Sequence, residues 1–193
     1  MKKVILIVLL VVVICCETKK QPNPTTVFIS EILSDTTEIQ IITSKNALIS
    51  NFDWTPTLSI IGFNDEGEAI TEVRYLSELL EEKDTLYISE QLHSKNKIDF
   101  EALKREGFKI FDLCKYSSEN LSHQQIRQKA SEQNAGNKFE KNGDYFVMLK
   151  NPIFNKKKDK VYVRVNSLRS GTAYLFVKEK NKWTKKKLGI WAE

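Results

Sequence analysis

The sequence predicts an α+β fold, in which a mixed, mainly helical N-terminal part precedes a C-terminal four-stranded antiparallel β-meander. Three observations lead to this prediction. The last fifty residues alternate apolar and polar side chains in four short segments. The part before them carries helical spacing and helix-capping signals. An apolar run at the N-terminus stands apart from both, and the 193 residues suit one domain.

Residues 1–15 have the pattern of a signal peptide. Lys2 and Lys3 supply a positive flank, and residues 4–14 are an unbroken apolar run. As a helix this run would be about 16 Å long, against a hydrocarbon core of about 30 Å, so it is too short to span a bilayer. The alternative, a buried core element, fits poorly because a polar stretch follows. We therefore expect export.

The run ends in two cysteines, and this ending resembles the lipobox of bacterial lipoproteins, in which a small residue precedes the acylated cysteine. Ile14 is too branched for that preceding place, whereas Cys15 is small. We therefore predict Cys16 as the lipidated residue and the first residue of the mature chain. Several acyl chains would hold the protein firmly, because one chain alone anchors only marginally.

Residues 16–26 are polar, contain two prolines and are predicted to form a lipid-anchored tether. Residues 27–193 are then a single α+β domain, with a mainly helical part at residues 27–137 and the meander at residues 138–193. Cys114 would be the one cysteine left, so no internal disulfide is expected. Because Cys114 lies in an apolar stretch, we expect it to be a buried thiol without reactive character.

Five helices and several extended segments are predicted in the first part. Asp84 has the character of a helix N-cap, and Gly107 that of a helix stop. The predicted helices lie around Val27, Ile29, Ile32 and Leu33, around Leu76, Leu79 and Leu80, after Asp84, at residues 100–106 and at residues 122–133. The predicted extended segments are residues 39–42, 57–63 and 69–75.

The meander is predicted from four alternating segments that lie at residues 145–149, 161–165, 173–177 and 183–191. Pro152 cannot donate a hydrogen bond to a neighbouring strand. The first segment should therefore lie at a sheet edge or bend at Pro152.

Charge is distributed unevenly along the mature chain. Residues 16–137 carry 13 Lys or Arg against 20 Asp or Glu, whereas residues 138–193 carry 15 against 5. Such a split predicts two oppositely charged faces, or a charged partner for one of them.

The lysines of the meander cluster in its turns, and alternate turns of a meander lie at the same end of the sheet. The structural interpretation is solubility and protection of sheet edges. The functional one is a patch that attracts phosphate or carboxylate groups of lipid headgroups, glycans or an acidic envelope partner, with the acidic half covering some of the charge. Nucleic acid is not expected, because the protein is exported and its aromatic residues suit a core. The predicted patch consists of Lys156, Lys157, Lys158, Lys180 and Lys182.

Signals for catalysis are missing from the sequence. His93 and His123 lie far apart in polar stretches. The sequence has no clustered cysteines that would predict a metal site and no glycine-rich phosphate loop that would predict a cofactor. A group of carboxylates, which comprises Glu78, Glu81, Glu82 and Asp84, suits a solvated helix face better than an acid/base pair. We therefore expect no enzyme.

Short motifs of the last hundred residues resemble those of a family of uncharacterised bacterial lipoproteins. They are Pro152-Ile153-Phe154, the segment from Gly171 to Tyr174, Lys182-Trp183, and the helical element from Tyr87 to Gln91 after Lys83-Asp84. Many members place a Cys pair before the glycine, which this chain lacks. The resemblance implies the fold and the lipid anchor but no activity.

Together these features predict a lipid-anchored protein of the bacterial cell envelope, with the outer membrane favoured over the inner, that binds or assembles without catalysis. Two alternatives stay open. One is a hydrolase of envelope polymers that uses carboxylates of the acidic half. The other is an inhibitor or immunity protein.

Overall fold

The computed structural model describes residues 23–34, 48–50, 60–63, 65–95, 97–133, 147–166 and 170–192. The predicted signal peptide, Cys16 and the predicted extended segment at residues 39–42 lie outside these ranges. The described helices are α1 (Pro24–Ser34), α2 (Glu72–Leu79), α3 (Thr85–Leu92), α4 (Phe100–Arg105), α5 (Leu113–Ser118) and α6 (His123–Gln133). None of them is long and apolar enough to cross a membrane.

The strands form one mixed sheet and a separate hairpin. The hairpin consists of β2 (Ile60–Phe63) and β3 (Ala69–Thr71). The strands of the main sheet are β1 (Leu48–Ser50), β4 (Lys109–Phe111), β5 (Val147–Leu149), β6 (Ile153–Phe154), β7 (Lys160–Asn166), β8 (Ser170–Glu179) and β9 (Lys182–Ala192). Their order is β4-β1-β5-β7-β8-β9, and β6 also pairs with β7.

The predicted meander is confirmed in part. Strands β5, β7, β8 and β9 are antiparallel neighbours in chain order. The sheet is nevertheless larger than predicted, because β1 pairs in parallel with both β4 and β5. Each of these two added strands has only three residues, and all three side chains of β1 are buried. A strand buried on both faces shows no alternation, which is why the pattern missed it.

Pro152 marks a break between β5 and β6, which pair with successive parts of β7. The predicted bend is therefore confirmed. The alternative of an edge position is wrong, because β5 lies between β1 and β7.

Helices cover both faces of the sheet. Val161 and Val163 of β7 point to the face covered by α1, whereas Tyr162 points to the face covered by α2 and α3. On the α1 side, the ring of Phe28 meets three other rings edge-on. Its centroid lies 5.6, 5.4 and 5.0 Å from the ring centroids of Phe154, Phe176 and Trp183.

Helix α1 begins at Pro24, three residues before the boundary predicted between tether and domain. Proline suits the first helical position, where a backbone N–H has no partner in any case. Asn23 caps the helix, since its side-chain oxygen accepts the N–H of Thr25 at 3.0 Å. Thr25 and Thr26 are buried, and the Thr26 hydroxyl accepts the N–H of Asp99 at 2.9 Å. The domain therefore includes residues assigned to the tether.

The prediction of a buried Cys114 is also wrong, because its thiol is exposed. Strand β4 ends at Phe111, and α5 turns Leu113 into the core. The next residue of the helix consequently faces outward.

Candidate anion-binding site

Two lysine-bearing turns lie at one end of the sheet. Lys160, the first residue of β7, pairs with Val177 near the end of β8. The N–H of Lys178 donates to the carbonyl oxygen of Asp159 at 2.7 Å, which joins the two turns. Five exposed lysines stand in or beside these two turns, and we call this end of the sheet the lysine end. They are Lys156, Lys157, Lys158, Lys180 and Lys182.

The side chain of Asn155 shapes the turn between β6 and β7. Asn155 is buried, and its oxygen accepts the N–H groups of Asp159 and Lys160, each at 3.1 Å. Its amide nitrogen donates to the Asp159 carboxylate at 2.6 Å. Lys158 adopts a φ of 57° in this turn. The backbone around the first three lysines is therefore fixed, whereas their side chains reach solvent.

The turn between β8 and β9 has two residues, Lys180 and Asn181, with φ values of 46° and 64°. Positive φ at both central residues is the type I′ geometry, which matches the twist of the flanking strands. Asparagine adopts this conformation readily, but lysine does so at an energetic cost.

An acidic segment, which we call the acidic turn and which comprises residues 81–84, lies against the lysine end. The end of α2 positions it. Glu81 has a φ of 51°, and the N–H of Glu82 donates to the Ser77 carbonyl oxygen at 2.9 Å. The N–H of Glu81 donates to the Glu78 carbonyl oxygen at 3.2 Å. This is a Schellman motif with glutamate where glycine is usual.

The acidic turn engages the first lysine turn through two ion pairs and one backbone hydrogen bond. Lys156 Nζ lies 2.7 Å from Asp84 Oδ2, and the Lys156 N–H donates to Glu82 Oε2 at 2.9 Å. Lys160 Nζ lies 2.5 Å from Glu81 Oε1. The acidic half thus covers part of the basic charge, as the sequence led us to expect. Lys156 serves this internal contact.

These contacts favour the ionised forms of Glu82 and Asp84. The N–H groups of Lys156 and Asp84 lower the pKa of Glu82, and the Lys156 ammonium followed by the Tyr87 N–H lowers the pKa of Asp84. Asp84 in return raises the pKa of Lys156. Both carboxyl pKa values shift in the same direction. Glu82 and Asp84 are therefore not the split pair that acid/base catalysis requires.

Helix α3 is fixed beside the lysine end by Tyr87 and Gln91. Lys156 Nζ lies 5.6 Å from the centroid of the Tyr87 ring. The Gln91 amide donates to the Phe154 carbonyl oxygen at 2.9 Å and accepts the Phe154 N–H at 3.0 Å, so it occupies the hydrogen-bonding groups of β6 as a strand would. Sequence reasoning missed this role of Gln91, because β6 has only two residues and shows no strand pattern.

No protein-family model, curated protein or solved structure matches this chain. The resemblance to a lipoprotein family therefore stays a prediction. Two residues of its motifs do lie in contact, since the Gln91 amide is hydrogen-bonded to the backbone of Phe154.

The described residues contain no group of three or more His, Cys, Asp or Glu side chains that could hold a metal ion. His93 is exposed, and its Nδ1 lies 2.8 Å from the Ser89 carbonyl oxygen within its own helix. The side chain of His123 lies outside the described part of the chain.

Proposed function

We propose that this chain is a lipid-anchored protein of the bacterial cell envelope that binds an anionic partner without catalysis. Cys16 is the proposed lipidation site. The proposed contact surface is the exposed part of the lysine end that the acidic turn leaves open, namely Lys157, Lys158, Lys180 and Lys182. The outer membrane is the proposed location.

The proposal rests on a difference between the lysines in their contacts with the acidic turn. Lys156 and Lys160 form ion pairs with the acidic turn. The other four stand on two adjacent turns whose backbones are fixed, with exposed side chains. A fixed backbone with solvated cations suits recognition of phosphate or carboxylate groups, because only the side chains need ordering on binding.

The anchor is tested by the intact mass of the protein from membranes. We expect loss of residues 1–15 and a mass increase that corresponds to acylation. Cys16→Ser should abolish both changes, whereas Cys15→Ser should keep them, because serine is also small. Acylation that survives Cys16→Ser would contradict the assignment.

The binding surface is tested by crosslinking in cells followed by identification of attached envelope components. The test variant carries Glu at Lys157, Lys158, Lys180 and Lys182. Its matched control carries Glu at four exposed cations elsewhere, Lys104, Arg105, Lys115 and Lys129. We expect capture to fall at least tenfold in the test variant only. Equal capture by both variants would refute the proposed surface.

A further inference from the structure

We propose that the lysine end is the face that the anchored protein turns toward an anionic membrane surface, with the side chain of Leu86 inserted among the headgroups. This inference rests on the proposed lipid anchor. It adds the identity of the anionic partner and an orientation for the domain.

The charge of this end suits orientation better than independent binding. Residues 81–84, 155–160 and 178–182 carry eight lysines and five carboxylates, a net charge of +3. Each lysine near an anionic leaflet increases partitioning by about fivefold. A net charge of this size is too small to hold a soluble protein on a membrane. It suffices to select one orientation for a protein that a lipid already holds there, because the tether keeps the local concentration high.

Leu86 provides an apolar group at the same end. Its side chain is 67% exposed, the largest exposure among the large hydrophobic residues of the described part. It lies in the first turn of α3, between the cap Asp84 and Tyr87, whose ring lies under the Lys156 ammonium. An exposed leucine beside lysines is the combination found on surfaces that lie in the membrane interface. It favours a lipid surface over an acidic protein or glycan.

The tether begins within reach of the same end. Asn23, where the described fold begins, donates to the Lys97 carbonyl oxygen at 2.8 Å, and the Lys97 N–H donates to Asn151 Oδ1 at 2.7 Å. Asn151 precedes Lys156 by five residues, at most roughly 17 Å of extended chain. The seven residues from Cys16 to Asn23 span at most roughly 25 Å. The tether is therefore long enough for the lipid to reach the lysine end.

The test uses the full mature lipidated chain in vesicles of phosphatidylcholine, with or without 30% phosphatidylglycerol as the probe lipid. An environment-sensitive dye is attached to the thiol of a Leu86→Cys, Cys114→Ser variant. The matched control is the native chain labelled at Cys114, which is exposed. Cys114 follows β4, which lies three strands from β7 in the sheet, and Phe111 at the end of β4 lies in the row of Ser50, Met148 and Asn166, six residues along β7 from Lys160.

We expect the Leu86 position to show a blue-shifted emission in anionic vesicles only, and the Cys114 position to show none. The blue shift should disappear when Lys157, Lys158, Lys180 and Lys182 are replaced by Glu. A second measurement needs no labelled variant. Acetylation of these four lysines in the native chain, followed by mass spectrometry, should be at least threefold slower on anionic vesicles than on neutral ones.

Three results would overturn the inference. The first is vesicle-bound protein in which the dye at position 86 keeps the emission it has in water and the four lysines are acetylated at the same rate on both kinds of vesicle. This result would contradict the inference but not the anchor. The second is protection of the lysines by soluble polyglutamate but not by vesicles, which assigns the surface to an acidic polymer. The third is acylated protein that floats with the vesicles and places Cys114 at the lipid. Failure of the protein to float, with no acyl mass, would instead contradict the anchor and the inference with it.

Discussion

Asp84 binds with both of its carboxylate oxygens. One accepts the Tyr87 N–H at 3.0 Å as a helix cap, and the other accepts the Lys156 ammonium at 2.7 Å. The cap was predictable because it depends on three neighbouring residues. The lysine contact crosses 72 positions of the chain, and nothing near either residue indicates it. Sequence reasoning therefore found a general attraction between the acidic and basic halves but not the pairs that form it.

The acidic turn makes stability depend on pH in a defined direction. Because the pKa values of Glu82 and Asp84 are lowered by folding, their stabilising contribution is present above the unfolded-state value of about 4. It is lost as pH falls through the folded-state values. Asp84→Asn keeps a capping side chain but removes the charge. We expect its melting temperature to lie below that of the native chain at pH 7, with the gap closing in the acid range.

Asp99→Asn is the matched control for this prediction. Asp99 caps α4 by accepting the Ala102 N–H at 2.9 Å. Thermal unfolding of both variants from pH 7 to pH 3 checks the prediction. A gap for Asp84→Asn that is constant over this range, or equal to that of Asp99→Asn, would contradict the role of Lys156.

The conformation of Asn181 gives a second prediction at this scale. At its φ of 64°, glycine has no steric penalty, whereas a β-branched side chain clashes. We expect Asn181→Gly to raise the free energy of unfolding by about 0.5 kcal/mol and Asn181→Val to lower it by about 1–2 kcal/mol. Urea unfolding midpoints measure both. A more stable valine variant would show that the turn is not of type I′.

At the scale of elements, long segments with several turns or a clear alternation were predictable, and short ones were not. Helices α1, α3, α4 and α6 and strands β7 to β9 lie where the patterns placed them. The predicted extended segment at residues 69–75 was half right, because β3 ends at Thr71, which caps α2. Strands of two or three residues are stabilised by pairing with segments distant in sequence, so no local pattern predicts them.

The side chain of Gln91 in α3 forms the two backbone hydrogen bonds that a neighbouring strand would form with Phe154 of β6. Gln91→Glu keeps the shape of the side chain but removes the N–H that donates to the Phe154 carbonyl oxygen. A half-buried carboxylate would then face that oxygen, so we expect a loss of about 1–3 kcal/mol in the free energy of unfolding. Glu90→Gln, the reverse change at an exposed neighbour, should alter it by less than about 0.5 kcal/mol. Equal denaturation midpoints for the two variants would refute this account of α3 docking.

At the scale of the whole molecule, one apolar cluster joins the two parts that the sequence separates by charge. The buried residues of α1 belong to one cluster with Ile49 and Ile110 of the parallel strands and with Val161 and Phe176 of the meander. The sequence predicted a helical part and a sheet part as regions of one domain. It did not predict that the first part would complete the sheet, because that depends on long-range parallel pairing.

We therefore expect the described fold to unfold in a single step, and Phe28 to be essential to it. Phe28→Ala removes the ring that three other aromatic rings surround, and we expect a loss of about 3–5 kcal/mol. Tryptophan fluorescence and far-UV circular dichroism should give coincident urea transitions in both proteins. Val27→Ala, at an exposed neighbouring position, is the control. Separate transitions, with the sheet surviving the loss of α1 contacts, would contradict this view.

Strand β9 is the last strand of the sheet, and no described strand pairs with its outer side over its eleven residues. Exposed backbone donors and acceptors of that length are a template on which identical molecules can stack into fibrils. The cationic side chains of Lys186 and Lys187 oppose such stacking, because two copies would bring like charges together. The positive charge of this strand therefore raises the protein concentration at which copies would begin to associate through β9.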